Sequence, residues 1–146
     1  MKTKNCRSLS VSDVDNFKWE GEIPDGENSS GTIYRFYKLH SIPIGQIELH
    51  DIRFLIGQNA GLDCLVPIAI ETLQEDIFIE TEYYPGDLLS ALFSVNKPGF
   101  WADHPKEKEA IVNLYEMQKD SMNAEDFCYD TRKKLKNAFN AFTEQK

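Results

Sequence analysis

The stretch that decides the fold is residues 62–75, whose sequence is LDCLVPIAIETLQE. Its apolar residues recur at intervals of three and four, as on one face of a helix. They are Leu62, Leu65, Val66, Ala69, Ile70 and Leu73. Asp63 is a suitable N-cap, whereas Pro67, one turn in, removes a backbone hydrogen bond and favours a kink. The pattern predicts a helix from about Asp63 to Glu75 that is buried along one face.

The same helical spacing recurs on both sides of this segment. It predicts helices at 32–40, at 49–58, from Pro85 to about residue 93, from Pro105 to about residue 115, and from about Asn123 to Phe142. In the last of these, Phe127, Leu135 and Phe139 are expected to be buried. Residues 33–37 are rich in strand formers, which leaves a small strand pair near the N-terminus open as an alternative. The fold class expected is therefore mainly α, a single compact domain of five to six short helices.

Length and composition agree with one domain. The chain has 146 residues, of which 41% are hydrophobic and 12% aromatic, values typical of a globular protein. We divide the domain 1–146 into a polar N-terminal segment (1–31), a helical core (32–119) and a C-terminal helix (120–146). The net charge of −8 argues against nucleic acid as a partner. No stretch approaches the ~20 apolar residues that a membrane span needs, so no membrane partner is expected.

The three cysteines, Cys6, Cys64 and Cys128, are odd in number and form no CxxC pair. We therefore expect neither a disulfide framework nor a zinc site. Together with the absence of an apolar leader after the basic N-terminus, this usage predicts a protein of the cytoplasm.

A run of carboxylates without nearby cations is the most informative feature of the charge pattern. Between Arg53 and Lys97 the chain contains no Lys, Arg or His, but it contains Asp63, Glu71, Glu75, Asp76, Glu80, Glu82 and Asp87. Like charges at such spacing repel one another and cost stability, so their retention predicts a negative surface for a positive partner. The alternative is a solvated face that only aids solubility.

Catalytic motifs are lacking in the sequence, which has no glycine-rich phosphate loop, no GxSxG, no HExxH and no EF-hand spacing. Glu80 and Glu82 could form an acid/base pair, so a small enzyme that uses them is one alternative. Two neighbouring carboxylates are nevertheless common in any acidic protein. We expect no enzymatic activity, no cofactor and no metal site.

Three motifs follow one another in the middle of the chain: DIRFLIGQ at 51–58, GLDCLVPIA at 61–69 and YYPGDLL at 83–89, with Phe100 and Trp101 after them. In this order they resemble the immunity proteins of contact-dependent growth inhibition (CDI) systems of Gram-negative bacteria. The resemblance covers roughly residues 42–114. Most motif residues look structural, with glycines at turns and prolines that set helix geometry. Arg53 is expected to pair with Asp87 or Asp51.

The resemblance implies a non-enzymatic inhibitor that binds the cognate CDI toxin C-terminal domain and occludes its active site, as a 1:1 heterodimer in the cytoplasm. Toxin domains of these systems are often nucleases, whose active sites attract phosphates and are therefore basic. Aromatic anchors and steering carboxylates are the expected contacts. The candidates are Glu75, Asp76, Glu80, Glu82, Tyr83, Tyr84, Trp101 and Asp103. The alternative is an acidic helical adaptor or regulatory protein that binds another basic protein.

Overall fold

The computed structural model describes residues 3–27, 29–120 and 129–144, and this part of the chain is mainly helical. The α-helices are α1 (Val11–Asp15), α2 (Gly31–Leu39), α3 (Leu49–Gly57), α4 (Leu62–Glu75), α5 (Asp87–Phe93), α6 (Phe100–Asp103), α7 (Pro105–Gln118) and α8 (Tyr129–Glu144). Two short 3-10 helices occupy Thr3–Ser8 and Ile44–Gln46. Within the described ranges, no helix is long and apolar enough to cross a bilayer.

The structure therefore has more helices than the five to six predicted, because α1 and α6 are too short to produce a periodic pattern. Helix α1 depends on its cap: the Ser10 hydroxyl accepts a hydrogen bond from the Asp13 N–H, and the Asp13 carboxylate accepts one from the Ser10 N–H. The alternative of a small N-terminal strand pair is wrong, since residues 33–37 lie in α2. The described residues form no strand, only one isolated bridge between Glu80 and Pro85.

Helix α4 lies at the centre and contacts α3, α5, α7 and the first 3-10 helix. All six residues of its predicted stripe are buried, which confirms the helix on which the sequence analysis rested. It begins at Leu62 with Gly61 as N-cap rather than Asp63. The Gly61 N–H donates to the Asp15 carboxylate at 2.8 Å, which ties the start of α4 to the end of α1. Pro67 lies inside the continuous helix.

Helix α8 packs on α5 and belongs to the core, as predicted. Leu135 and Phe142 are fully buried and Phe139 is 8% exposed, whereas Phe127 lies outside the described residues. The loop before α5 must approach α8 closely. Gly86 has a φ of +88°, and a Cβ there would lie 2.9 Å from Cδ1 of Leu135. Only glycine fits this position without strain.

Cys6 and Cys64 form a disulfide that joins the first 3-10 helix to α4. The expectation of no disulfide was wrong. The two residues are 58 positions apart, and packing of the N-terminal segment on α4 brings them together. No local spacing signals such a contact. Cys128, the third cysteine, lies outside the described residues.

Candidate functional site

The carboxylates of residues 54–96 are partly neutralised in space, so the prediction of an uncompensated stretch was wrong for four of the seven. The ion pairs are Glu71–Arg7 at 3.1 Å, Asp63–His104 at 3.2 Å, Glu82 with Arg35 at 3.3 Å and with Arg53 at 3.1 Å, and Asp87–Arg53 at 3.8 Å. The pair with His104 has full strength only when the imidazole is protonated. Every cationic partner lies outside residues 54–96, so a scan of that segment of the sequence does not find it.

Glu75, Asp76 and Glu80 are the three members that remain exposed and have no ion-pair partner in the described part of the chain. Glu75 is the last residue of α4 and Asp76 is its C-cap. Anions at a helix C-terminus face the negative end of the dipole, so this placement costs stability rather than adding to it. We name residues 75–85, which contain all three, the acidic loop.

Asp87, the first residue of α5, holds the end of the acidic loop in place. One carboxylate oxygen accepts the Thr81 N–H at 2.8 Å. The other accepts the Thr81 hydroxyl at 2.8 Å and the N–H groups of Glu82 and Tyr83 at 3.0 Å each. Burial disfavours the charged form, but these hydrogen bonds outweigh it and hold the pKa of Asp87 below its ordinary value. A single buried carboxylate therefore fixes three consecutive residues of the loop.

Two arginines attach the acidic loop to α2 and α3. Arg35 of α2 forms ion pairs with Asp51, at 2.7 Å, and with Glu82. Arg53 of α3 forms a second ion pair with Glu82. Burial opposes ionisation of Glu82, yet the hydrogen bonds from Arg53 and Arg35 keep its pKa below the usual range. The Glu82 side chain is 32% exposed and is committed to these internal contacts. It therefore serves first to position the loop.

The two tyrosines of the acidic loop differ in exposure and in their cationic neighbours. Tyr83 is 63% exposed, and the Arg53 guanidinium carbon lies 4.8 Å from the centre of its ring. Tyr84 is half-buried and has the Lys134 ammonium 5.7 Å from its ring centre. The cation–π contact positions Tyr83 with most of its ring open to solvent, as an aromatic anchor requires.

Trp101 and Asp103 lie on α6 and not on the acidic loop. Trp101 is 3% exposed, and its ring lies 4.9 Å from that of Phe100 and 5.1 Å from that of Phe142. A side chain at this position belongs to the core and has little surface to offer a partner. Asp103 is exposed at the end of α6, which packs on α7.

The first and third sequence motifs thus meet in one network. Arg53 of the first motif pairs with Asp87 of the third, as expected, while Asp51 pairs with Arg35. Arg35 lies outside every motif, and sequence reasoning missed it because nothing local links α2 to residues 51 and 82. No group of three or more His, Cys, Asp or Glu side chains in the described ranges is arranged to hold a metal ion. What the geometry does provide is a rigid, negatively charged, aromatic-bearing loop.

A comparison with known proteins identifies the family of the chain. Residues 13–111 match the family model of CDI immunity proteins, and this region contains α2 to α6, the acidic loop, and Asp87, Arg35 and Arg53, which hold that loop. No curated protein and no solved structure matches the chain. Since the family match extends over well over half of the 146 residues, the chain belongs to the CDI immunity proteins, which bind and neutralise a cognate toxin.

Proposed function

We propose that this protein neutralises the C-terminal toxin domain of its cognate CDI effector by covering a basic active site with the acidic loop. The partner is a nuclease domain, the complex is a 1:1 heterodimer, and it forms in the cytoplasm. The protein itself catalyses nothing and uses no cofactor. The contacts are Glu75, Asp76, Glu80, Tyr83 and Tyr84, with Asp103 as a more distant candidate.

The observation that carries the proposal is the set of three carboxylates in the acidic loop that have no ion-pair partner among the described residues. Glu71, Glu82 and Asp87 have cationic partners at close range, whereas Glu75, Asp76 and Glu80 have none in the described structure. Glu75 and Asp76 stand where the dipole of α4 disfavours a negative charge. A basic partner would neutralise this charge on binding, so the electrostatic cost in the free protein becomes a gain in the complex.

The stiffness of the acidic loop supports the same assignment. Asp87 fixes residues 81–83 through their backbone, and Arg35 and Arg53 fix Glu82. A loop held in this way loses little conformational freedom when a partner binds, which favours affinity. The exposed ring of Tyr83 then presents apolar area next to the charges, the combination found at interface hot spots.

The test is a triple charge reversal on the three unpaired carboxylates, Glu75→Lys, Asp76→Lys and Glu80→Lys. The matched control reverses three exposed carboxylates elsewhere, Glu20→Lys, Glu22→Lys and Glu109→Lys, and so has the same net charge. Protection is read as growth of cells that express the toxin domain encoded next to this gene, and affinity as a Kd with the purified domain. We expect loss of protection and roughly a 100-fold or greater loss of affinity in the first variant only. Equal behaviour of the two folded variants would place the toxin-binding surface elsewhere.

A further inference from the structure

A cationic cleft adjoins the acidic loop on the side of α8. Its volume is about 430 Å³, and it is lined by Tyr84, Asp130, Thr131, Lys133, Lys134 and Asn137. Tyr84 belongs both to this cleft and to the acidic loop, so the two surfaces are continuous. We define the cationic cleft by these six residues.

The cationic side chains of the cleft are Lys133 and Lys134. Lys133 and Lys134 are exposed, and neither has a carboxylate partner among the described residues. The Lys134 ammonium lies over the ring of Tyr84, which orients it toward the acidic loop without neutralising it. Helix α8 is anchored to the core by the fully buried Leu135. The positive charges therefore stand on a firmly packed helix.

A protein with acidic side chains fits the cleft better than a nucleic acid does. Nucleic acid presents closely spaced phosphates, which would also face Asp130 in the cleft and Glu80 of the neighbouring loop. A net charge of −8 adds a general repulsion of polyanions. A folded protein can instead place a carboxylate against Lys133 and Lys134 and a basic patch against the acidic loop at the same time.

Five of the six residues of the cleft lie outside the part of the chain that matches the family, and only Tyr84 lies inside it. The match ends at residue 111, and α8 begins at Tyr129. The acidic loop falls inside the match, as do Asp87, Arg35 and Arg53, which hold it. Helix α8, beyond the matched region, contributes a surface of opposite charge.

We propose that the cationic cleft binds an acidic segment of the same toxin domain whose basic site the acidic loop covers. This inference rests on the proposed function. Two adjoining patches of opposite sign accept a partner in one orientation only, because turning the partner around brings like charges together. The cleft thereby sets the orientation of the toxin domain in the complex and helps to select the cognate toxin.

The experiment compares Lys133→Glu/Lys134→Glu with the control Lys18→Glu/Lys97→Glu, which reverses two exposed lysines away from the cleft. Binding to the purified toxin domain is measured for both and for the wild-type protein. We expect the cleft variant to bind roughly 10- to 100-fold more weakly and the control within about threefold of wild type. The neutral variant Lys133→Gln/Lys134→Gln should fall between them. Thermal melts establish that each variant is folded.

The possible failures are distinguishable. If the wild-type protein does not bind the toxin domain, the proposed function is wrong. If the wild-type protein binds, and the triple reversal in the acidic loop abolishes binding while both cleft variants bind like the control, only the role of the cleft is overturned. A fluorescent RNA oligonucleotide serves as a second probe. Wild-type binding to this RNA that disappears in the cleft variant would also overturn the inference, because it would make nucleic acid the occupant.

Discussion

Arg53 and Asp87 form an ion pair between α3 and α5, with the guanidinium Nε 3.8 Å from a carboxylate oxygen. The Arg53 side chain is 15% exposed and that of Asp87 2%. Two partly desolvated charges gain stability only when further hydrogen bonds satisfy them. Here Asp87 accepts four such bonds from the acidic loop, and Arg53 donates to Glu82. The pair thus connects the packing of two core helices to the shape of an exposed loop.

Asp87→Asn should destabilise the protein by about 1–3 kcal/mol, because an amide cannot replace the carboxylate as acceptor for every donor and leaves buried N–H groups unsatisfied. The free energy of unfolding is measured by urea denaturation. Asp103→Asn, an exposed change of the same type, is the control and should lie within about 0.5 kcal/mol of wild type. Equal stability of the two variants would show that the Asp87 hydrogen bonds contribute nothing.

The same carboxylate predicts how stability depends on pH. The pKa of Asp87 is lower in the folded protein than its ordinary value of about 3.9, so folding favours its charged form. Its contribution is fully present above the ordinary pKa and is lost as the pH falls through the lowered one. Unfolding free energies of wild type and Asp87→Asn, measured between about pH 6 and pH 2, should therefore converge toward the acid end. A difference that stays constant over this range would contradict the lowered pKa.

Phe139→Ala should destabilise the protein by about 3–5 kcal/mol, the usual cost of removing a buried aromatic ring. The ring is 8% exposed and its centre lies 4.3 Å from that of Tyr115 and 5.6 Å from that of Phe93. Tyr129→Ala, on the same helix but 66% exposed, is the matched control and should change little. Truncation after Lys119 should lower the melting temperature as well. An unchanged melting temperature would mean that α8 is an appendage to the core.

Much of this fold follows from local patterns, because most of its helices bury a periodic apolar face. The stripe of α4 and the burial of Leu135 and Phe139 could be predicted from spacing alone. Helix α6 could not, since four residues make barely one turn and contain no repeat. The Cys6–Cys64 disulfide escaped prediction for a different reason: it depends on a contact between distant segments.

The candidate site was only partly predictable, for the same physical reason. The charge pattern draws attention to the acidic loop, yet Glu82 and Glu80 are equivalent in a sequence scan and differ in the structure. Glu82 is held by Arg35 and Arg53, whereas Glu80 is exposed and has no ion-pair partner in the described structure. Trp101 is a candidate aromatic anchor in the sequence, yet it is only 3% exposed in the structure. Its burial follows from the packing of α6 against α8, which no motif records.

The disulfide should make stability sensitive to redox conditions. A cross-link between residues 58 positions apart restricts the unfolded chain, which corresponds to about 4 kcal/mol in the chain-entropy model. Unfolding of the wild-type protein, measured with and without a reducing agent, should show a large loss of stability on reduction. The double variant Cys6→Ala/Cys64→Ala should unfold at the same denaturant concentration in both conditions. If the reducing agent leaves the stability of the wild-type protein unchanged as well, the disulfide does not form in solution.

The charge on the acidic loop predicts that salt slows formation of the toxin complex. Raising the ionic strength from 0.1 M to 1 M shortens the Debye length from about 10 Å to about 3 Å, which screens the attraction between separated surfaces. The association rate should fall steeply over this range, while the dissociation rate, set by short-range contacts, changes much less. Stopped-flow or surface-based kinetics with the purified toxin domain measure both rates. In the variant with Glu75, Asp76 and Glu80 replaced by Gln, the slope of the association rate against salt should be clearly smaller. A wild-type association rate that is indifferent to salt would rule out electrostatic steering by the acidic loop, and binding would then have to depend on Tyr83 and the apolar contacts around it.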